Sequence, residues 1–288
     1  MPKVVILGGD GQLARAIMRV SHDAKSEYIA LGRKDADLCN VESLQRAVSM
    51  ADVVVNCAAY TNVEAAEDDY EGARAVNGRG VAELAAICEN QGVRLIHIST
   101  DYVFGGDTER RTPYAEEDAI SPINAYGRSK AEGERAVLES GSGVVIRTSW
   151  LYAPWGKNFC RTILSLSATQ SELRVVDDQR AVPTSALSLA RFIVDIIEGG
   201  AINHMHGIYH YTDAGEATWY DFAREIVALS GSDCTVLPCK SSERQMRAAR
   251  PEYSLLATER LKEIGATLSL SPWREALAEV VEIIKQEL

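Results

Sequence analysis

No stretch of this sequence approaches the ~20 consecutive apolar residues that cross a bilayer, and its start does not read as a signal peptide. No membrane association is expected. No Lys/Arg cluster stands out, and the net charge is −11, so nucleic acid is not expected as a partner. The cysteines Cys39, Cys57, Cys88, Cys160, Cys234 and Cys239 form no Cys-x-x-Cys and scatter through strand and helix patterns. That distribution predicts reduced thiols in a cytoplasmic protein. Cys57, in an apolar strand, reads as core rather than nucleophile. Internal repeats and low-complexity segments are also missing.

What is present is globular. Of 288 residues, 46% are hydrophobic and 25% charged, which suits one large or two intimately joined domains. The chemistry concentrates between Val93 and Glu134. Val93 to Ile98 reads as a buried strand, and it ends in Ser99-Thr100-Asp101-Tyr102 where apolar residues would otherwise continue. Ligands bind at the carboxyl ends of strands in an open parallel sheet, so these polar groups would face one. Further on, Tyr126 and Lys130 stand four apart, about one helical turn, on one face. A free tyrosine, with a pKa of roughly 10, is a poor proton shuttle at neutral pH. A nearby ammonium lowers that value and makes the pair a candidate general acid or base. Thr100 could share a substrate oxygen with the Tyr126 hydroxyl.

The N-terminus carries a second signal. The strand Lys3 to Leu7 runs into Gly8-Gly9-Asp10-Gly11-Gln12-Leu13-Ala14 and then a helical pattern. Gly8 allows a tight turn, Gly11 lets backbone approach a pyrophosphate at the helix N-terminus, and the small Ala14 permits close packing. After the second strand, Tyr28 to Leu31, an NAD-preferring site would place Asp or Glu. This chain has Gly32-Arg33-Lys34, a cation that could pair with a 2′-phosphate. NADPH is therefore the expected cofactor, with NADH left open. Asp37-Leu38 leads to a helix near 41–49. A strand from Asp52 ends in Cys57-Ala58-Ala59-Tyr60, small enough for a dinucleotide to lie across it. Asn77, on a helix running to about Asn90, reads as a brace for the active-site strands.

Glu116, Glu117 and Asp118 fall in a Gly/Pro/acid-rich loop over 105–122 and read as solvated rather than as a glycosidase pair. A strand over 143–147 carries on to Trp150, which could stack on a substrate ring or cap the core. Beyond it the βα alternation fades, with helices expected near 186–198, 218–230 and 272–287. His204, His206 and His210 lie close in sequence, but no carboxylate or cysteine completes a metal set, so no metal is assigned. Arg247 and Arg250 are candidates for a substrate diphosphate.

Together these residues resemble the extended short-chain dehydrogenase/reductase superfamily and, more narrowly, the dTDP-4-dehydrorhamnose reductase family. The narrower resemblance rests on Gly11-Gln12-Leu13, Asn56 to Thr61, Ser99 to Phe104, Tyr126 to Lys130, Arg147 to Trp150, Asp178-Gln179 with Pro183-Thr184, and Arg250-Pro251. It implies a Rossmann-type doubly wound α/β sheet over 1–150 and a smaller, interleaved substrate lobe over 151–288, with some segments returning to the first. It implies Thr100, Tyr126 and Lys130 as the catalytic set. Gly8, Gly11, Gln12, Leu13, Arg33, Asp37, Leu38, Ala58, Ala59, Tyr60 and Asn77 would serve the cofactor along with Tyr126 and Lys130. Thr61, Val63, Thr100, Asp101, Tyr102, Phe104, Tyr126, Trp150 and Arg250 would face a dTDP-sugar. A homodimer is left open.

The chain departs from the family's pattern at Ala14, Ala181 and Tyr253, where Gly, Gly and Asn are common. The expected activity is reduction of a C4 keto group in a dTDP-4-dehydro sugar. Two other readings stand beside it: a non-catalytic subunit like the regulatory β subunit of methionine adenosyltransferase, and a sugar-nucleotide epimerase or dehydratase.

Overall fold

A computed structural model describes residues 1–264 and 270–286. The first half alternates strand and helix. In order come β1 (Lys3–Leu7), α1 (Gln12–Val20), β2 (Glu27–Leu31), α2 (Val41–Val48), β3 (Val53–Asn56), α3 (Val63–Asp68), α4 (Tyr70–Arg74), a π-helical turn (Ala75–Gly80), α5 (Val81–Gln91), β4 (Arg94–Thr100), α6 (Ala125–Ser140) and β5 (Gly143–Thr148). The second half holds β6 (Leu151–Tyr152), α7 (Phe159–Ser167), β7 (Glu172–Val176), β8 (Arg180–Ala181), β9 (Thr184–Ser185), α8 (Ala186–Glu198), β10 (Gly207–His210), β11 (Ala217–Thr218), α9 (Trp219–Ser230), β12 (Thr235–Cys239) and α10 (Trp273–Gln286). The helix expected over 272–287 is α10; residue 287 lies outside the described residues.

One parallel sheet of six strands, in the order β10-β5-β4-β3-β1-β2, forms the centre. Its strands are short β-branched runs, and every residue of β3 and β5 is buried. Runs apolar on both faces belong to sheets covered on both sides. Here α2, α5 and α6 cover one face, while α1, α8 and the C-terminal helices cover the other. Burying each Val, Leu or Ile contributes roughly 1.5–3 kcal/mol, which makes these two faces the main source of stability. The architecture is thus a doubly wound α/β sheet. The chain leaves β1 for β2, then returns to lay β3 on the other side of β1. That reversal opens a crevice at the carboxyl ends of β1 and β3, where such sheets bind ligands. The late strand β10 pairs with β5 and so closes the sheet with residues from the second half.

Three local expectations differ from what is observed. The strand from Asp52 stops at Asn56. Residues 57–60 form the loop over the crevice, as small side chains there permit. The strand over 143–147 stops at Thr148, and Trp150 adopts a left-handed φ of 44° that breaks it. Glu116 is not solvated. It is 6% exposed, and one carboxylate oxygen accepts the His210 backbone N–H at 3.2 Å. Glu117 and Asp118 do remain partly or fully open. Among the described residues, no helix is long and apolar enough to cross a membrane.

Candidate functional site

Two turns flank the crevice. At the first, Gly8 has φ of +80°, and a side chain there would strike the Ala58 backbone at 2.8 Å. Only glycine fits. The Gly11 N–H donates to the Gly8 carbonyl at 2.8 Å and closes the turn. Gly11 then caps α1 without any side-chain acceptor. By contrast, α2, α3, α4, α6, α7, α8 and α9 all have a side chain accepting at their start. The α1 amides are therefore free for an anion, and the helix dipole favours one. This is the observation that fits a pyrophosphate. Gln12 is held by Asn158, which donates to its side-chain oxygen at 2.8 Å. The Leu13 side chain is buried in the core, so only its backbone borders the turn.

At the second turn, Asn77 accepts from the Tyr60 N–H at 2.8 Å and donates to the Tyr60 carbonyl at 3.0 Å and to Ser129 Oγ at 2.9 Å. It braces the Ala58-Ala59-Tyr60 loop against α6. Arg33 stands exposed past the end of β2 and pairs with Asp37 at 3.1 Å. Asp37 also accepts the Cys39 N–H at 2.9 Å. The Leu38 side chain is buried against α2 and α5. Thr61 is exposed and Val63 half-buried beside it.

The reactive set lies on β4 and α6. Asn124 caps α6 by accepting the Gly127 N–H at 2.7 Å, an interaction worth about 1 kcal/mol. Gly127 is required because a Cβ there would sit 2.1 Å from the Tyr102 carbonyl. That approach brings Tyr126 beside the end of β4, edge-on to Tyr102 with ring centroids 5.9 Å apart. Burial pushes the Tyr126 phenol up to about 12, against the Thr100 hydroxyl, which draws it down by hydrogen bonding. Lys130, 2% exposed, donates to the Ile98 carbonyl at 2.7 Å. Burial pushes its ammonium down to about 8, opposed by Glu134 and Cys57. The expected drop in the Tyr126 pKa is therefore not seen in the ligand-free chain. Desolvation of the phenol outweighs any help from Lys130, whose charge is turned towards Ile98. The phenol stays protonated at neutral pH, the form that can donate.

Asp101 is buried beside the reactive set. It accepts from Ser254 Oγ at 2.6 Å and from Thr100 Oγ1 at 3.2 Å, and burial pushes it up to about 7. Phe104 is fully buried, stacked on Tyr114 at 4.1 Å and under the Arg147 guanidinium at 5.0 Å. It belongs to the core and does not face a substrate, a correction to the sequence expectation. Trp150 stacks on Trp219 at 3.6 Å, and its strained backbone is the kind found at binding sites. Arg250 donates to Glu64 at 2.6 Å, and Arg247 pairs with Asp68, so α3 acids occupy both candidate diphosphate arginines. His210 is buried against Arg147 while His204 and His206 are exposed, so the three histidines share no site.

Sequence reasoning missed four groups. Asn56 and His97 are paired side chains behind Lys130, and Ser254 reaches Asp101 from 153 residues away. Thr148 Oγ1, buried at the end of β5, has no hydrogen-bond partner among the described residues. Only the polar character of His97 inside an apolar strand offered a signal.

The chain is similar to known reductases along nearly its whole length. A dTDP-4-keto-6-deoxy-D-glucose reductase of Streptomyces niveus is 38% identical over 288 residues, covering 98% of each chain. A dTDP-4-dehydrorhamnose reductase of Burkholderia thailandensis is 40% identical over 291 residues, covering 96% of each. The crystal structure of a Bacillus anthracis dTDP-4-dehydrorhamnose reductase in complex with NADP is 33% identical, with a TM-score of 0.89 over 97% of this chain and 98% of that one. The sequence profile of the RmlD substrate binding domain matches residues 2–286. The chain belongs to the RmlD substrate binding domain family.

Proposed function

We propose that this protein reduces the C4 keto group of dTDP-4-dehydro-L-rhamnose, giving dTDP-L-rhamnose, with NADPH as reductant. The feature that carries the reading is the buried Tyr126 phenol, held beside Thr100 at the carboxyl end of β4, on the same edge of the parallel sheet as the uncapped start of α1. The names of its full-length relatives support the same reaction class.

Each residue has a task. The α1 amides and the Gly8–Gly11 turn would hold the pyrophosphate. Arg33, whose side chain is 80% exposed, would meet a 2′-phosphate. NADPH, when bound, supplies the hydride. A reduced carbonyl also needs a proton on its oxygen, and Tyr126 gives its own. Thr100, turning its hydroxyl from Asp101, would donate a second hydrogen bond to the same oxygen and so favour the charge that develops there. The Lys130 ammonium steadies the phenolate that remains and the nicotinamide ribose. Trp150, Thr61 and Val63 would contact the sugar nucleotide.

The test follows NADPH absorbance with dTDP-4-dehydro-L-rhamnose, and in parallel with the 6-deoxy-D-glucose isomer named by the Streptomyces relative. Tyr126→Phe should lower turnover by ~10²-fold or more, the range typical of a lost general acid, while NADPH affinity stays near that of the parent. Near-normal turnover in that variant refutes the assignment. NADPH binding without oxidation of any keto sugar turns the reading towards the non-catalytic subunit.

A further inference from the structure

Behind Lys130 lies a buried chain of polar groups that the proposed reaction does not use directly. Asn56 ends β3, and His97 faces it across the sheet in register on β4. Asn56 is 1% exposed, His97 fully buried and Lys130 2% exposed. No solvent is at hand to correct a mismatch, so each hydrogen has to find its place among these groups.

The order of donors can be deduced from one end. The Ala58 backbone N–H can only donate, and it points at Asn56 Oδ1 from 3.1 Å. That orients the Asn56 amide. Its Nδ2 therefore faces His97 Nδ1 at 3.1 Å and donates to it. A ring nitrogen that accepts carries no hydrogen. Burial and the neighbouring Lys130 both push the His97 pKa well below its usual value, so the ring is neutral. Its one N–H then sits on Nε2. That nitrogen lies 3.3 Å from Lys130 Nζ.

We propose that His97 is a positioning residue for Lys130: with its tautomer set by Asn56, it aims an N–H at Lys130 Nζ and so stabilises the amine relative to the ammonium. An ammonium has only donors and would meet this N–H head on. An amine has a lone pair to accept it. The other arrangements are worse. Moving the proton to Nδ1 sets it against the Asn56 NH2. Turning Asn56 over sets that NH2 against the Ala58 N–H. Each leaves two buried donors facing one another, which is costly because neither can reach another acceptor.

The other groups around Lys130 do not undo this. Glu134 lies one turn on in α6 and favours the charge, but both its oxygens are engaged by Arg147, at 2.9 and 2.7 Å. Cys57, from the end of β3, is held as a thiol, pushed up to about 12 by burial. Tyr126 lies one turn before and is protonated. The Ile98 carbonyl takes one Lys130 hydrogen in either state. A lysine poised in this way can return a proton to the Tyr126 phenolate after turnover: an O–H forms, an N–H breaks, and the resulting amine accepts from His97. A lysine with an unopposed charge would release that proton far less readily.

The first test needs no substrate and so stands apart from the reductase reading. A long-range 1H–15N spectrum of the labelled protein reports which nitrogen of each imidazole carries hydrogen. The chain has five histidines, so loss of one signal in His97→Gln identifies the resonance. A proton on Nε2, with Nδ1 bare around neutral pH, is expected; a proton on Nδ1 overturns the proposal. The second test rests on the reductase reading. In Asn56→Asp the carboxylate draws the ring proton to Nδ1, leaving Nε2 to accept from the ammonium. The added charge acts in the same direction. The alkaline limb of turnover should move up by ~1 pH unit. In His97→Gln the amide can accept from Asn56 and donate to Lys130, and the limb should stay near the parent's. An alkaline limb that stays put in Asn56→Asp, or an Nε2 that keeps its proton in the long-range spectrum of that variant, refutes the role.

Discussion

Replacing Glu134 by glutamine should destabilise this protein more than most single changes at its surface. Glu134 and Arg147 are 3% and 2% exposed and meet through two parallel bonds of 2.7 and 2.9 Å. The arginine's other contacts are weak substitutes: the Glu116 carbonyl at 3.5 Å, His210 Nε2 at 3.3 Å and the Phe104 ring at 5.0 Å. None supplies negative charge. Removing one partner of a buried pair typically costs 3–5 kcal/mol, because the other charge is stranded; glutamine keeps one acceptor, so about 3 kcal/mol is expected. For a chain of this size each kcal/mol lowers Tm by roughly 2–4 °C, giving a fall of roughly 6–12 °C by calorimetry. The double variant Glu134→Leu with Arg147→Met strands no charge and should recover most of the loss. The same change also removes a group that raises Lys130. Lys130 should then titrate lower than about 8, and the alkaline limb of turnover should move down, a readout separate from Tm. If Glu134→Gln melts within ~1 °C of the parent, water reaches the pair and the low-dielectric argument is wrong.

Other changes test the site piece by piece. Asp101 is raised by burial to about 7, so its contribution to stability is full below its unfolded pKa and lost as pH rises through about 7. Asp101→Asn should abolish that pH-dependent loss, which amounts to at most roughly 3 kcal/mol between pH ~5 and ~8, in denaturant titrations at those two values; an unchanged slope against pH would show that Asp101 is solvated. Gly127→Ala places a Cβ 2.1 Å from the Tyr102 carbonyl. It should lower kcat by ~10-fold or more and also lower Tm, because α6 must lift and take Tyr126 with it; full activity would mean that Tyr126 is not positioned through this contact. Arg33→Ala should raise KM for NADPH by ~10-fold while leaving NADH nearly unchanged, the loss expected for one charge-assisted hydrogen bond. Equal effects on both cofactors would remove Arg33 from 2′-phosphate recognition.

What could be read from the sequence was local in the chain. The turn at Gly8 and Gly11 declares itself because strand, glycines and helix are consecutive, and their geometry needs no distant partner. Tyr126 and Lys130 share a face for the same reason, since helical spacing alone sets it. Asn77 was legible as a brace, although its partners lie 17 and 52 residues away, because a polar residue on an apolar helix face needs a reason. The misreadings are non-local. Glu116 looked like an exposed loop acid, yet its partner is a backbone N–H on β10, 94 residues later, and no nearby residue announces that. Phe104 sits next to ligand-facing positions but turns inward because Tyr114 and Arg147 build a pocket for it. The Glu64 partner of Arg250 likewise lies on α3, 186 residues earlier, and nothing near Arg250 announces it. His97 shows the limit best. Strand alternation could place it inward, where it reads as an ordinary core histidine. Only the joint orientation of Ala58, Asn56 and Lys130 gives its ring a direction, and together with His97 those groups come from three separate segments of the chain. Residue types and spacing can therefore nominate the groups that do chemistry, but the groups that set their protonation states become visible only when the sheet brings its strands together.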